Sequence, residues 1–163
     1  MRASVTRPGS VAYLLAAVVV AADQATKFWL GSVYHLGERG VAPLLGPIRL
    51  HLIWNQGVSF GFFQDYASWT RWALASFSLA VAIGLAFWAR HAKRTLLGIA
   101  AGLLMGGALG NLIDRLRDGA VMDFIDATRL HFPWVFNIAD SAITVGVILL
   151  LLDSAVAPGE DRR

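Results

Sequence analysis

The chain contains 163 residues, of which 56% are hydrophobic and 15% charged, with a mean hydropathy of +0.57 and a formal net charge of +3. This composition is too apolar for an ordinary soluble domain and predicts a single integral membrane domain over residues 1–163. The lack of cysteine excludes disulfides, metal–thiolate sites and thiol nucleophiles, and the basic residues flank apolar runs instead of forming the stripe that binds nucleic acid.

Four apolar segments predict four transmembrane helices, because a helix needs about 20 such residues to cross the hydrocarbon core. They cover residues 11–30, 72–89, 95–113 and 138–152, and the tail from about residue 154 is predicted to be disordered. The first segment could instead be a cleaved signal peptide that begins with Arg2 and Arg7. Its apolar pattern resumes beyond the supposed cleavage site, which favours a span.

The connection between the first two predicted helices indicates a small β-sheet and an amphipathic loop. Residues 48–54 alternate in part, with Arg49 and His51 on one side and Leu50 and Leu52 on the other, which is typical of a strand. Aromatic residues, which favour the membrane–water interface, follow at Phe60, Phe62, Phe63, Tyr66 and Trp69. We expect a sheet on the outer leaflet and an aromatic loop that closes over a bound peptide.

The third predicted helix carries a glycine at every fourth position. These residues are Gly98, Gly102, Gly106 and Gly110. Small residues at this spacing line one helix face and allow a neighbouring backbone to approach closely. The sequence therefore predicts tight packing of this helix against another span.

Charge favours one orientation in the membrane. An even number of spans places both termini on one side, and the short basic linker at residues 90–94 predicts that this side is the cytoplasm. Six arginines on the other side weaken the argument, namely Arg39, Arg49, Arg71, Arg115, Arg117 and Arg129.

Two clusters of polar residues occur in the predicted spans, one within the first span and one at the end of the third. An acid at a helix centre costs about 2.5–3.5 kcal/mol, so that it needs a partner or a function. Asp23 has Lys27 at i+4 in the favourable order, which predicts an ion pair that anchors the first helix, with direct chemistry as the alternative. Asn111 and Asp114 share a face at the end of the third helix, where Arg115 can pair with a carboxylate.

Asp123 and Asp140 are the candidate catalytic residues. Asp123 follows the third predicted helix among apolar neighbours, and Asp140 begins the fourth, so that both are expected near the same membrane face. Two carboxyl groups held together cannot both ionise cheaply, and the resulting acid and base can activate water. Asp140, near a helix N-terminus, is the better candidate for the ionised partner.

Spacing alone leaves other interpretations open. The two aspartates could be helix caps or interface residues, and buried acids also occur in small transporters and proton relays. The glycine face alone would suit a structural subunit of an assembly. A Ser–Lys peptidase would need Lys27 or Lys93 near Ser59 or Ser141, and no phosphate-binding glycine loop is present. A metal site has no support, because no two of the four histidines have the spacing of paired metal ligands. These histidines are His35, His51, His91 and His131.

Five short motifs together resemble the bacterial lipoprotein signal peptidases, also called signal peptidase II. They are DQATK at 23–27, NQGVSFG at 55–61, GNLIDR at 110–115, VMDF at 121–124 and FNIAD at 136–140. The motifs occur in the family's order and extend from the first predicted helix to the fourth. Residues 31–49 and the C-terminal tail carry no such signature.

The resemblance implies an all-α inner-membrane aspartyl peptidase with four transmembrane helices, a small periplasmic sheet and no cofactor or metal. Asp123 and Asp140 would be its catalytic pair. The substrate would be a prolipoprotein that carries diacylglycerol on its cysteine and is cut on the N-terminal side of that cysteine. The resemblance also implies contact with membrane lipids and inhibition by the cyclic peptide globomycin, and we expect a monomer. Substrate-binding or supporting roles would fall to Asn55, Gly57, Asn111, Asp114, Arg115, Asn137 and Ala139.

Overall fold

The computed structural model describes residues 4–57, 67–132 and 134–156. Within these residues, four helices are long and apolar enough to cross a membrane. They are Arg7–Val33, Trp69–Ala89, Thr95–Arg117 and Ile138–Ala155. Together with a small antiparallel sheet, they confirm the predicted fold class.

The elements follow in chain order. They are α1 (Arg7–Phe28), a π-helical turn (Trp29–Val33), α2 (Leu36–Arg39), β1 (Val41–Leu45), β2 (Ile48–Asn55), α3 (Ala67–Ala89), α4 (Thr95–Arg117), β3 (Val121–Asp126), a 3-10 turn (Thr128–Leu130), β4 (Val135–Phe136) and α5 (Ile138–Val156).

Each spanning helix is longer than the apolar run that predicted it. Helix α5 continues to Val156, two residues beyond the point, about residue 154, at which a disordered tail was predicted, and the disorder of that tail stays a prediction. Arg94 donates a hydrogen bond of 2.5 Å to Asp153, which is almost fully buried, and this contact fixes the last turns of the helix. Residues 157–163 lie outside the described part of the chain.

Helix α4 is the centre of the bundle and packs against α1, α3 and α5. The predicted glycine face allows this packing. A Cβ atom at Gly102 would lie 2.6 Å from the carbonyl oxygen of Ala12, and one at Gly106 would lie 2.7 Å from Cβ of Val19. Gly110, the last of the series, faces Asp23 and Ala139. The close approach predicted from the spacing is therefore confirmed.

The sheet has the strand order β1-β2-β3-β4 in the described residues, and all its pairs are antiparallel. The strand predicted at 48–54 is β2, whereas β3 was not predicted and carries Asp123 opposite Ile53. One face of the sheet packs on a cluster that includes Leu30, Leu36 and Phe124. Most of the predicted aromatic loop (Phe60, Phe62, Phe63 and Tyr66) lies outside the described residues, and Trp69 lies in α3.

Both described chain ends lie at the same end of the bundle. Thr6, before α1, donates from its backbone N–H to the carbonyl oxygen of Arg90 (3.2 Å) and from Oγ1 to that of Ala92 (2.9 Å). The Arg94–Asp153 contact brings the end of α5 to the same linker. This arrangement agrees with an even number of spans, while the orientation in the membrane stays a prediction.

Candidate active site

Asp140 is held at the start of α5 by a reciprocal cap. The side-chain oxygen of Asn137 accepts a hydrogen bond from the backbone N–H of Asp140 (2.8 Å), and Oδ2 of Asp140 accepts one from the backbone N–H of Asn137 (3.3 Å). This pattern is a capping box, which satisfies two free N–H groups at a helix start. The cap fixes the position of the Asp140 carboxyl group at the mouth of the helix.

Asp123 lies on β3 with 1% of its surface exposed. Its Oδ1 accepts a hydrogen bond from Nδ2 of Asn137 (2.8 Å), and its Oδ2 accepts one from Nδ2 of Asn55 on the neighbouring strand (3.0 Å). The pairing of β2 with β3 therefore places Asn55 where its amide group can donate to Asp123 and fix the orientation of that side chain.

Two asparagines connect the carboxyl groups of Asp123 and Asp140. Asn137 donates to Asp123 and also to Oδ1 of Asn111 (3.1 Å), while Nδ2 of Asn111 donates to Oδ1 of Asp140 (2.7 Å). With the backbone contact of Asn137, each of the four carboxyl oxygens of the pair accepts a hydrogen bond. The structure thus brings together the two acids that the sequence could place only at the same membrane face.

The environment of Asp123 favours its neutral form. Burial raises the pKa of Asp123 from its ordinary value of 3.8 to about 7, and the negative charge of Asp140 acts in the same direction. The hydrogen bonds from Asn55 and Asn137 and the charge of Lys27 lower the pKa and only partly offset this increase. Asp123 is therefore able to hold a proton near neutral pH.

Both aspartates line a cavity of about 740 Å³ between the sheet and the start of α5. Its polar residues include Asn55 and Ser141, and most of its remaining wall is apolar. The large apolar residues on this wall include Leu130, Phe132, Trp134, Phe136 and Val145. The two carboxyl groups therefore lie at the wall of a largely apolar cavity.

Behind the pair lies a fully buried ion cluster. Nζ of Lys27 is 2.7 Å from Oδ2 of Asp23 and 2.6 Å from Oδ2 of Asp114, and none of the three side chains is exposed. The i,i+4 ion pair predicted within α1 is present, and Asp114 of α4 adds a second carboxylate. Since this lysine has two anionic partners and Ser59 lies outside the described residues, a Ser–Lys peptidase gains no support.

The two carboxylates of this cluster each hold the backbone next to a candidate catalytic residue. Oδ1 of Asp23 accepts a hydrogen bond from the N–H of Ala139, and Oδ2 of Asp114 accepts one from the N–H of Met122, both at 3.1 Å. Ala139 directly precedes Asp140, and Met122 directly precedes Asp123. Lys27 thereby connects α1 with the backbone on both sides of the site.

Gln24 was missed as a supporting residue, although it stands inside the first motif. Its Nε2 donates to Oδ1 of Asp114 (2.8 Å), to Oδ2 of Asp23 (3.1 Å) and to the carbonyl oxygen of Gly110 (3.2 Å). A polar amide between an acid and a lysine in an apolar span was the available signal. The partners on α4 were not visible because they lie far along the chain.

Two further predicted residues shape the site indirectly. Gly57 has a φ of +83° and donates its N–H to Oδ1 of Asn55 (2.8 Å), which leaves Nδ2 of Asn55 free to face Asp123. Ala139 is completely buried, and its Cβ would lie 3.2 Å from a Cβ at Gly110. Glycine is favoured at position 57 because its φ belongs to the left-handed region.

Arg115 differs from its predicted role. Its Nη1 donates to the carbonyl oxygen of Asn111 at 3.4 Å, and no carboxylate of a described residue lies within 4.0 Å of its guanidinium group. Its charge still interacts with Asp140, Asp114 and Asp123 over longer distances. The neighbouring Arg117 instead approaches Asp114, at 3.9 Å.

Comparison with known proteins agrees with this arrangement. A family model described as signal peptidase (SPase) II matches residues 15–156. A lipoprotein signal peptidase of Caulobacter vibrioides is 54% identical over 152 residues, which cover 93% of this chain and 90% of the relative. One of Methylobacterium radiotolerans is 46% identical and covers 96% of this chain and 91% of its own length.

Two solved structures share the fold. Both are bacterial membrane enzymes solved by the in meso method. The first has a TM-score of 0.79 and 26% sequence identity, and the match covers 98% of this chain and 100% of the solved chain. The second has a TM-score of 0.76 and 27% sequence identity, and the match covers 100% of this chain and 99% of the solved chain. The chain, with its four apolar helices, its sheet and all five motifs within the matched residues, belongs to the signal peptidase II family of membrane peptidases.

Proposed function

We propose that this chain is an intramembrane aspartyl endopeptidase that removes the signal peptide from prolipoproteins. The cut falls on the N-terminal side of a cysteine that carries diacylglycerol. The observation that supports this most directly is the pair of carboxyl groups of Asp123, which is buried, and Asp140, which is partly buried, connected through two asparagines at the wall of an apolar cavity. The relatives named lipoprotein signal peptidase support the substrate class.

The two aspartates take different roles. Asp123, whose pKa burial raises to about 7, is neutral and donates a hydrogen bond to the scissile carbonyl oxygen. Asp140, at the N-terminal end of α5, is ionised and takes a proton from the attacking water. The hydroxide oxygen adds to the carbonyl carbon, and Asp140 then gives its proton to the leaving amine as the C–N bond breaks.

The amide groups hold these roles in place without taking protons. Asn137 and Asn55 donate to Asp123, and Asn111 and the Asn137 backbone donate to Asp140. Fixed donors of this kind favour a single arrangement of the pair, so that little reorganisation accompanies the proton transfers. A pair that shares protons in this way titrates as a unit.

The apolar cavity explains a lipid-modified substrate. Its wall of Leu130, Phe132, Trp134, Phe136 and Val145 can take acyl chains while the peptide bond reaches the aspartates. Globomycin-type inhibitors would occupy the same cavity. The site lies at the sheet end of the bundle, opposite the basic linker at residues 90–94, which supports a periplasmic site and cytoplasmic termini in the inner membrane.

The test is cleavage of a diacylglyceryl-modified prelipoprotein by purified wild type, Asp123→Asn and Asp140→Asn. Asparagine keeps the size and an acceptor oxygen at each position, so that the fold and the α5 cap are retained. We expect a loss of at least about a hundredfold in kcat, because general acid–base catalysis contributes roughly 10²–10⁴-fold. Ser141→Ala, which removes a hydroxyl that donates to the Asn137 carbonyl, should stay active. Near-normal activity of either asparagine variant would overturn the proposal.

A further inference from the structure

A second cavity of about 590 Å³ continues from the site on the other side of Asp123. It shares Asn55, Asp123 and Trp134 with the apolar cavity, so that the two meet at one carboxyl group. Its lining is much more polar and includes Arg49, His51, Gln56, Asp126 and Thr128. We refer to this second cavity as the polar groove.

The polar groove follows strand β2. Arg49, His51, Ile53 and Asn55 occupy alternate positions of the strand and line the groove together with Trp54. The pairing of β2 with β3 is irregular between Leu50 and Ile53. The intervening Leu50 and Leu52 pack against the apolar core beneath the sheet. A track of side chains therefore runs from the Asn55–Asp123 hydrogen bond to the far end of the strand.

Arg49 and Asp126 form an ion pair at that far end. Its Nη2 donates to Oδ2 of Asp126 (2.5 Å) and to Oγ1 of Thr128 (3.2 Å). Asp126 is buried, and its other oxygen already accepts two hydrogen bonds from Thr128. Arg49 keeps about a quarter of its side chain exposed, and its side-chain hydrogen bonds to described residues both come from Nη2, while its Nε is buried without a partner among those residues. Both carboxyl oxygens of Asp126 thus accept hydrogen bonds within the protein, whereas the exposed part of the Arg49 guanidinium group can still donate to a ligand.

We propose that the polar groove binds the substrate chain on the C-terminal side of the lipidated cysteine, and that Arg49 favours an acidic side chain there. This inference rests on the proposed function. The signal peptide and the acyl chains are apolar and match the apolar cavity, while the chain that continues into water matches a polar lining. The two cavities meeting at Asp123 separate these two parts of the substrate.

The position of the favoured residue follows from the register. Ile53 pairs with Asp123 and Arg49 pairs with Asp126, and the pairing is irregular between Leu50 and Ile53. The two pairs are therefore four residues apart on β2 and three residues apart on β3, which corresponds to about 10–13 Å of extended chain at roughly 3.3 Å per residue. A substrate that lies extended in the groove therefore places its fourth or fifth residue, counting the cysteine as the first, next to Arg49.

The experiment uses diacylglyceryl-modified prelipoproteins with one aspartate at positions three to seven after cleavage, in an otherwise uncharged segment. We expect kcat/KM of the wild type to peak with aspartate at position four or five. The increase over alanine should be about two- to fivefold, the range of a partly exposed ion pair, and lysine at that position should lower kcat/KM. Equal cleavage of the whole series would overturn the proposed role of the polar groove in substrate binding while leaving the proposed function intact. No cleavage of any member would instead refute the proposed function.

A protein variant tests the assignment to Arg49. The double variant Arg49→Met/Asp126→Asn removes both charges, so that no carboxylate of this ion pair is left buried and unpaired, and it should lose the peak, so that aspartate at position four or five gives no higher kcat/KM than alanine there. Arg39→Met is the matched control, because Arg39, at the end of α2, contacts Tyr34 and lines neither cavity. A peak that survives in the double variant would overturn the role of Arg49. If that variant does not fold, the opposite effects of aspartate and lysine on the wild type decide the matter.

Discussion

Lys27→Met removes the only cation of the buried cluster and keeps the length of the side chain. Two carboxylates, Asp23 and Asp114, then remain fully buried without the ammonium group that lies 2.7 and 2.6 Å from them. Removing one partner from a buried ion pair costs about 3–5 kcal/mol, since an uncompensated charge stays in the interior. For a protein of this size, about 1 kcal/mol corresponds to roughly 2–4 °C in Tm, so that we expect Tm to fall by about 6–20 °C.

The same substitution should lower activity beyond its effect on stability. Asp23 and Asp114 hold the N–H groups of Ala139 and Met122, which precede the two candidate catalytic residues. If the carboxylates move apart, so do Asp140 and Asp123. A displacement of about 1 Å at a reacting group can cost roughly a hundredfold in rate. We therefore expect kcat to fall even at temperatures where the variant is folded.

The assay is thermal unfolding in detergent micelles, followed by tryptophan fluorescence, together with prelipoprotein cleavage at 20 °C. Lys93→Met is the control, because Lys93 is exposed in the short linker and should change stability by less than about 0.5 kcal/mol. The triple variant Asp23→Asn/Lys27→Met/Asp114→Asn carries no charge in this cluster and should recover much of the lost stability. If Lys27→Met unfolds within about 2 °C of wild type, or the triple variant is no more stable than the single, the cluster does not have the role described.

Three further outcomes follow. If Asp123 must be neutral, kcat/KM falls as pH rises through about 7, the pKa of that carboxyl group; constant activity up to pH 9 would contradict this. The pKa of Asp123 is higher folded than unfolded, so its proton-linked stability is complete below about pH 4 and lost by pH 7. Asp123→Asn should therefore raise Tm relative to the wild type, by an amount that grows from pH 4 to pH 7 and stays constant above pH 7. A difference in Tm that does not depend on pH would refute the linkage. Gly102→Ala should cost about 1–3 kcal/mol by overpacking against Ala12, whereas Gly84→Ala, with no neighbour within 4 Å, should be neutral or stabilising.

Local patterns predicted the helices, the glycine face and the i,i+4 pair of Asp23 and Lys27, because each depends on neighbours along the chain. The second partner of Lys27 could not be predicted, since Asp114 comes from another helix and only the packing of α4 against α1 brings it near. The strand that carries Asp123 was missed for a related reason. Five of the six residues of Val121–Asp126 are buried, and the strand pairs with β2, but a short and mostly apolar run gives no local sign of its partner.

The hydrogen bonds that join Asp123 and Asp140 were also beyond the sequence. Asn55, Asn111 and Asn137 could be singled out by their motifs, but the direction of an amide depends on what it meets in the fold. For Asn55 that direction depends on the turn at Gly57, and for Asn137 on the cap of α5.

The central place of α4 has a consequence for how the protein is made. Helix α1 packs against a glycine face that is synthesised some 90 residues after it, so the first helix must wait in the bilayer before its partner exists. During that wait, Asp23 and Lys27 can neutralise each other within one turn of the same helix. Asp114 arrives only with α4, and the N–H of Ala139 only with α5. The candidate active site is thus completed only when α5 has been synthesised. A ribosome stalled before α5 would leave a membrane-inserted chain that lacks this site.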